Sequence, residues 1–302
     1  MTLECPFCEI AIQSAGGECP QCAFTVQADG KGHMEFHRAQ DDIYARYESA
    51  YEELARDDLD KAVYSMEYQH ALAQDTAQCI GPLSGLDLIE LGVGQGLLQA
   101  QFCGQKPTSL ISLDISPSYT RNARMQFEAG DHAGLAFETV VGNVEFAPFH
   151  ACFDVVVATD ILEHVLNLGN ALARVHRMLR PGGVFWCRVP FAEALGQYSI
   201  YNGMPYEFAH LRFFDRPSIE RQFREVGLKP MKHYLLGYAP AKFKPWLPTF
   251  AGRVVGKVMR QTGQYAGEWY EFSRRASKGW AWPIRMVHQP LELLVGAIKE
   301  TS

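Results

Sequence analysis

The sequence predicts an open, doubly wound α/β sheet, and three observations carry that prediction. An apolar run, Asp87-Leu-Ile-Glu-Leu91, ends in an acid and then in glycines at 92, 94 and 96, the pattern of a strand that turns sharply into a helix. Further apolar runs at 110–114, 137–141, 153–158 and 184–189 alternate with stretches carrying helix signals, the order that builds a parallel sheet. Asp114, Asn143 and Asp160 stand at or just beyond the ends of three of these runs, where ligands bind in such sheets.

The first turn separates two cofactor classes. Dinucleotide folds read G-x-G-x-x-G, whereas here the third glycine comes one position early and Leu97 fills the usual place. Glu90, Gly92, Val93, Gly94 and Gly96 form an acid, one residue, then G-x-G-x-G. At this point the chain resembles the class I S-adenosylmethionine (SAM)-dependent methyltransferases, whose first motif has that form. The resemblance implies a seven-stranded, Rossmann-like sheet with SAM as cofactor.

The second strand, Leu110-Ile-Ser-Leu-Asp114, ends in a carboxylate followed by Ile115. Asp114 can accept both ribose hydroxyls, or it can cap the helix that starts near Pro117. The third strand runs out at Gly142-Asn143-Val144, where the resemblance places an adenine contact through Asn143 and a ring cover through Val144, although Gly-Asn is also ordinary turn chemistry. The fourth strand, Phe153–Ala158, leads into Thr159-Asp-Ile-Leu-Glu-His-Val165, which resembles the family's post-strand segment and marks Asp160 as cofactor-facing. Asn-Pro-Pro-Tyr is absent there, which argues against methylation of adenine N6 or glutamine. A helix over 168–179 ends at Arg180-Pro-Gly-Gly183 before the fifth strand, and a later helix opens after His210-Leu-Arg-Phe-Phe-Asp-Arg-Pro-Ser218. The sixth strand is read over 228–237 and the seventh over 291–299.

The head of the chain carries a separate signal. Cys5-Pro-Phe-Cys8 and Cys19-Pro-Gln-Cys22 are two C-x-x-C pairs whose four thiolates suit one tetrahedral ion, so residues 1–32 read as a zinc ribbon. Two disulfides are the competing arrangement, but no signal-peptide pattern opens the chain, and a cytoplasmic protein with reduced thiols is expected. Cys79, Cys103, Cys152 and Cys187 share no spacing and read as small buried hydrophobes.

At 302 residues and 47% hydrophobic content, the chain can bury a large core. Its net charge of −6 is unevenly spread: residues 229–302 hold twelve Lys/Arg against four Asp/Glu, leaving −14 for residues 1–228. An acidic head and core would repel a nucleic-acid backbone. Residues 33–84 read as a helical cap or linker, with Tyr44, Tyr47 and Tyr51 on one face, either packed as core or lidding the sulfonium. The acids Asp41, Asp42, Glu52, Glu53, Asp57 and Asp58 read as a solvated face.

Within the domain at 85–302, an insert over 239–288 separates the last two strands. It holds nine Lys/Arg and Trp246, Trp269, Trp280 and Trp282. A helix around 250–260 would set Arg253, Lys257 and Arg260 opposite an apolar face, which suits either a substrate lid or peripheral contact with the inner membrane surface.

Together these features predict SAM-dependent methyl transfer to a small-molecule or lipid-linked acceptor, such as a sugar, quinone or polyketide hydroxyl. His164 and His210 are the candidate bases, at the two ends of the acceptor pocket. An RNA methyltransferase using the basic tail and a non-catalytic SAM-binding regulator are the alternatives.

Overall fold

A computed structural model describes residues 2–301 apart from 14–15, 31–32, 38–41, 62–65, 192–199, 202–203, 206–207, 209 and 241–287. The expected lid or membrane-facing helix, with Arg253, Lys257, Arg260 and the four tryptophans of the insert, lies outside the described residues.

The head is built from short strands: β1 (Leu3–Glu4), β2 (Ala11–Ile12), β3 (Gly17–Glu18), β4 (Thr25–Ala28) and β5 (His33–His37). Helices α1 (Asp42–Asp60) and α2 (Met66–Ile80) follow, so the helical stretch begins at Asp42 and not at His33. His-Met-Glu-Phe-His alternates with period two, burying Met34 and Phe36, and this suits a strand. The domain then runs β6 (Asp87–Leu91), α3 (Leu97–Gly104), β7 (Ser109–Asp114), α4 (Pro117–Ala129), β8 (Ala136–Val141), a 3-10 turn (Val144–Phe146), β9 (Phe153–Thr159), α5 (Leu168–Met178) and β10 (Leu179–Pro190). It closes with β11 (Ile200–Tyr201), β12 (Met204–Pro205), α6 (Arg216–Glu225), β13 (Leu228–Pro240) and β14 (His288–Lys299). The last two strands are each three residues longer than expected, which narrows the insert to 241–287.

Among the described residues the main sheet has the order β13-β14-β10-β9-β6-β7-β8-β5-β4-β3. The strands from β10 to β5 pair in parallel, while β14 runs antiparallel to both β10 and β13. The seven expected strands are therefore present, and the head adds three more by pairing β5 with β8. The chain steps outward from β6 to β7 and β8 and then returns to place β9 on the other side of β6. That reversal opens a crevice beyond the carboxyl ends of β6 and β9.

Side chains alternate across the sheet. Ile89, Leu91, Val156, Phe185 and Val295 face α5 and α6, where Leu172, Val175, Ile219 and Phe223 are buried. Leu88, Leu110, Val155, Val157 and Trp186 face α2 and α3, against Leu72, Ala77, Leu98 and Phe102. Each face buries one apolar set, the two-layer covering that parallel strands require. Cys103, Cys152 and Cys187 are buried, as expected of small hydrophobes, whereas Cys79, near the end of α2, is only partly buried. Among the described residues no helix is long and apolar enough to cross a membrane.

Candidate active site and thiol cluster

Every predicted cofactor residue stands at the carboxyl end of a sheet strand. Glu90 lies at the end of β6 and is 1% exposed. Burial, and next the charge of Asp114, push its carboxyl well above the usual range, and its Oε2 has no hydrogen-bond partner. The glycine turn follows, with φ of 74°, 51° and 80° at Gly92, Gly94 and Gly96, all in the left-handed region. A Cβ at Gly92 would stand 1.9 Å from the Ile161 side chain, whereas one at Gly94 would meet nothing within 4 Å. Gly94 therefore presents bare backbone to open space.

Asp114, at the end of β7, accepts from the Gly94 amide through Oδ2 at 3.0 Å and from the Ser116 amide through Oδ1 at 2.9 Å. Burial still raises its carboxyl to about 6, against the pull of these amides. Ser116, and not Asp114, caps α4. Ile115 is partly exposed beside it. Beyond β8, Asn143 Oδ1 accepts from the Glu145 amide at 2.9 Å, while its buried Nδ2 has no partner. Val144 is buried next to it. Asp160, after β9, has φ of 57°, its Oδ2 accepts from Arg188, and its buried Oδ1 is unpartnered.

His164 and His210 were expected at opposite ends of a pocket, and the structure corrects this. Their ring centroids are 4.6 Å apart, edge to face. The Leu211 amide donates to the Glu163 carbonyl at 2.9 Å, and Arg212 Nη1 donates to the carbonyls of Leu162 and Val165 at 2.8 and 2.6 Å. Residues 210–212 are thus strapped onto the turn that carries His164. Glu163 Oε1 lies 3.9 Å from His164 Nε2, and the Tyr51 ring stands 5.8 Å from that imidazole. Glu163, His164 and His210 each have one ligand atom within 4.8 Å of the others, a spacing that could hold a cation between them.

The tyrosine stripe is both core and wall. Tyr47 is buried against Phe208, Tyr51 donates to the Phe208 carbonyl, and Tyr44 donates to Glu145 Oε2 at 2.9 Å. The acidic face of α1 is not wholly solvated. Glu52 accepts from the hydroxyls of Ser116 and Ser118, each at 2.6 Å, and Asp58 accepts from Tyr119 and Gln95 at 2.8 and 2.9 Å. Both acids fasten α1 to the α4 region, while Asp42, Glu53 and Asp57 are exposed as expected.

Arg188 escaped the sequence analysis. It sits buried in the apolar strand β10, donates to Thr76 Oγ1 at 2.9 Å, and pairs with Asp160. Burial opposes its charge, but Asp160 and Glu292 outweigh that effect and hold it ionised. A lone cation in a buried strand was the available signal, since such a charge needs an acid nearby.

In the head, the ligand atoms of Cys5, Cys8, Cys19 and Cys22 lie within 4.8 Å of one another, with Cys5 Sγ and Cys22 Sγ 3.4 Å apart. The two C-x-x-C turns repeat each other. The amides of Phe7 and Cys8 point at Cys5 as those of Gln21 and Cys22 point at Cys19, and Glu9 and Ala23 both take positive φ, at 58° and 54°.

The family model described as a methyltransferase domain matches residues 64–233, more than half of the chain. The chain belongs to that methyltransferase family. Among curated relatives, the ubiquinone biosynthesis O-methyltransferase of Methylocella silvestris is 29% identical over 179 residues, 59% of this chain and 57% of its own length. That of Nitrobacter winogradskyi is 32% identical over 108 residues, 36% of this chain, so the methyltransferase spans about 40% of that relative. Among solved structures, a chain of the complex between the Haloferax volcanii Trm112 methyltransferase activator and a methyltransferase superposes with TM-score 0.54 at 17% identity, covering 84% of this chain and 98% of its own. The 1,6-didemethyltoxoflavin-N1-methyltransferase of Burkholderia thailandensis, solved with its acceptor and S-adenosylhomocysteine bound, gives 0.53 at 17% identity, covering 94% and 99%. These likenesses confirm the class I fold, and SAM is the cofactor of the methyltransferase.

The site fits that cofactor. A glycine turn with open space above Gly94, and unpartnered polar atoms on Glu90, Asn143 and Asp160, stand around one crevice. The thiol cluster fits a metal too, because four sulfurs at Zn–S bonds of about 2.3 Å in a tetrahedron lie about 3.8 Å apart.

Proposed function

We propose that the protein transfers a methyl group from SAM to a hydroxyl of a small organic acceptor, with His164 or His210 taking the hydroxyl proton. The meeting of these two imidazoles, beside the Glu163 carboxylate and next to the cofactor crevice, carries this reading. The relatives named as O-methyltransferases support a phenol or quinol as the acceptor.

SAM supplies an electrophilic methyl on a sulfonium. The chain would hold and align it: Asp114 would use its remaining lone pairs for the ribose, the Gly94 backbone would support the nucleoside, and Glu90 and Asp160 would attract the cationic amino-acid end. Asn143 would offer its unpartnered Nδ2 to a ring nitrogen of adenine, and the second lone pair of its Oδ1, beside the bond from the Glu145 amide, remains for the adenine amine. A nearby carboxylate favours the imidazolium formed after proton removal, so Glu163 supports His164 as a base.

A second reading, favoured by the converging ligand atoms of Glu163, His164 and His210, places a divalent cation there to acidify the acceptor hydroxyl. For the thiol cluster we propose zinc.

The test is methyl transfer to a panel of phenols and catechols. His164→Gln and His210→Gln are compared with the unchanged protein, and SAM binding is measured separately. One substitution should lower kcat on the order of 100-fold or more with SAM affinity kept. Unchanged kcat in both would refute a histidine base. Activity lost on dialysis against a chelator and restored by magnesium alone would favour the cation.

A further inference from the structure

The head is not a separate cap. Leu3, Cys5, Ile12, Cys19, Phe24, Val26, Met34 and Phe36 belong to the same buried cluster as the sheet residues Ile89, Val140 and Val156. Glu4 donates its amide to the Pro148 carbonyl, His150 donates its amide to the Thr2 carbonyl, and Arg177 pairs with both Glu4 and Glu9. The two backbone contacts, at Pro148 and His150, fall on the segment that follows β8, which carries Asn143, while Arg177 belongs to α5.

Two aromatic lines connect the cysteines to that segment. Phe7 lies inside the first C-x-x-C turn, and its ring centroid is 5.2 Å from that of Phe146. Phe24, two residues after Cys22, stands 6.1 Å from Phe36, and the Phe36 ring occupies the space where a Cβ on Gly142 would sit, 2.3 Å away. Gly142 leaves room for a ring from the head to lie against the backbone, and Asn143 is the next residue along that backbone.

The same segment reaches the acceptor side. Glu145, 2% exposed, accepts from the Tyr44 hydroxyl and from the Leu166 amide at 2.8 Å, and Leu166 ends the turn that carries His164. A displacement of Phe146 thus moves an acid bonded to both α1 and the His164 turn.

We infer that Phe7 and Phe36 are positioning residues for cofactor binding, and that the ion held by Cys5, Cys8, Cys19 and Cys22 and the cofactor bound beside Asn143 strengthen each other's binding through them. This rests on the zinc and SAM assignments above. Binding linkage is reciprocal, so the factor by which zinc raises SAM affinity must equal the factor by which SAM raises zinc affinity.

The experiment uses the full chain and S-adenosylhomocysteine as the probe. Zinc content is measured first, then zinc affinity by competition with a chromophoric chelator, with and without saturating probe, and probe affinity by calorimetry. Probe binding should raise zinc affinity on the order of tenfold. Phe7→Ala should keep one zinc per chain and, although the loss of its ring contacts with Phe24 and Phe146 lowers the thermal midpoint, should lose that coupling and bind the probe about tenfold more weakly. Phe7→Tyr should restore both. Zinc affinity indifferent to the probe in the unchanged protein overturns the coupling while leaving both assignments standing. A protein that carries no zinc, or binds no probe, overturns the assignments and the coupling together.

Discussion

Arg188 Nη2 donates to Asp160 Oδ2 across the ends of neighbouring strands β10 and β9, while the Asp160 amide donates to the Arg188 carbonyl at 3.0 Å. The pair is unequal: Arg188 is 8% exposed in its side chain and Asp160 is 41% exposed. A guanidinium cannot shed its charge, so an unpaired Arg188 stays buried and charged, whereas an unpaired Asp160 can turn to water. Asp160→Asn should therefore destabilise the fold by about 3 kcal/mol and Arg188→Met by only about 1 kcal/mol. Urea unfolding of the two variants measures the order. The reverse order would show that Glu292 alone suffices as the counter-ion.

The glycine turn separates strain from occupancy. Gly92→Ala must displace Ile161 and adopt positive φ, and should cost about 3 kcal/mol of stability. Gly94→Ala meets no neighbour and should cost only about 1 kcal/mol, from its left-handed conformation. Its methyl would nevertheless stand in the space assigned to the cofactor, so SAM affinity should fall at least about tenfold, a loss of about 1.4 kcal/mol. Thermal melts and calorimetric titration read the two quantities apart. Normal SAM binding by Gly94→Ala would remove the cofactor from that backbone.

Asp114 makes cofactor binding depend on pH. Its carboxyl moves from the ordinary 3.8 to about 6 in the folded protein. In the cofactor-free fold the carboxyl holds a proton that the unfolded chain has already released. The stability this gives is full below 3.8 and is lost as pH rises through about 6. SAM affinity runs the other way, since the ribose hydroxyls need the ionised acceptor, and should rise between pH 5 and 7 and then level. Asp114→Asn should flatten that profile. A wild-type affinity constant across the range would contradict the ribose role.

The strand ends and the glycine turn were legible because the chemistry there is local: an acid, a sharp turn and a bare amide sit within seven residues of one another, from Glu90 to Gly96. The four cysteines were legible for the same reason. What stayed hidden depends on partners far along the chain. Arg188 does not name Asp160 or Thr76, and the acids of α1 look solvated until Ser116, Ser118 and Tyr119 are folded against Glu52 and Asp58. Gly142 reads as turn chemistry, yet it also leaves room for the Phe36 ring arriving from β5. That strand did carry its own signal in the alternation of Met34 and Phe36, which the long helical pattern beside it obscured.

Glu52 ties these effects together. Burial works against its charge, but the bonds from Ser116 and Ser118 outweigh it and hold the carboxyl below its ordinary value of 4.5. The stability it contributes is fully present above 4.5 and is lost as pH falls through the lower folded value, opposite in sign to that of Asp114. Glu52→Ala should thus destabilise the fold by about 2 kcal/mol at neutral pH, less in acid, and speed amide exchange in both α1 and the first turn of α4. Its negative charge also helps raise Asp114. Glu52→Gln should therefore shift the midpoint of the pH profile for SAM binding downward. An unshifted midpoint, with α1 still protected, would mean that the two carboxylates do not sense each other.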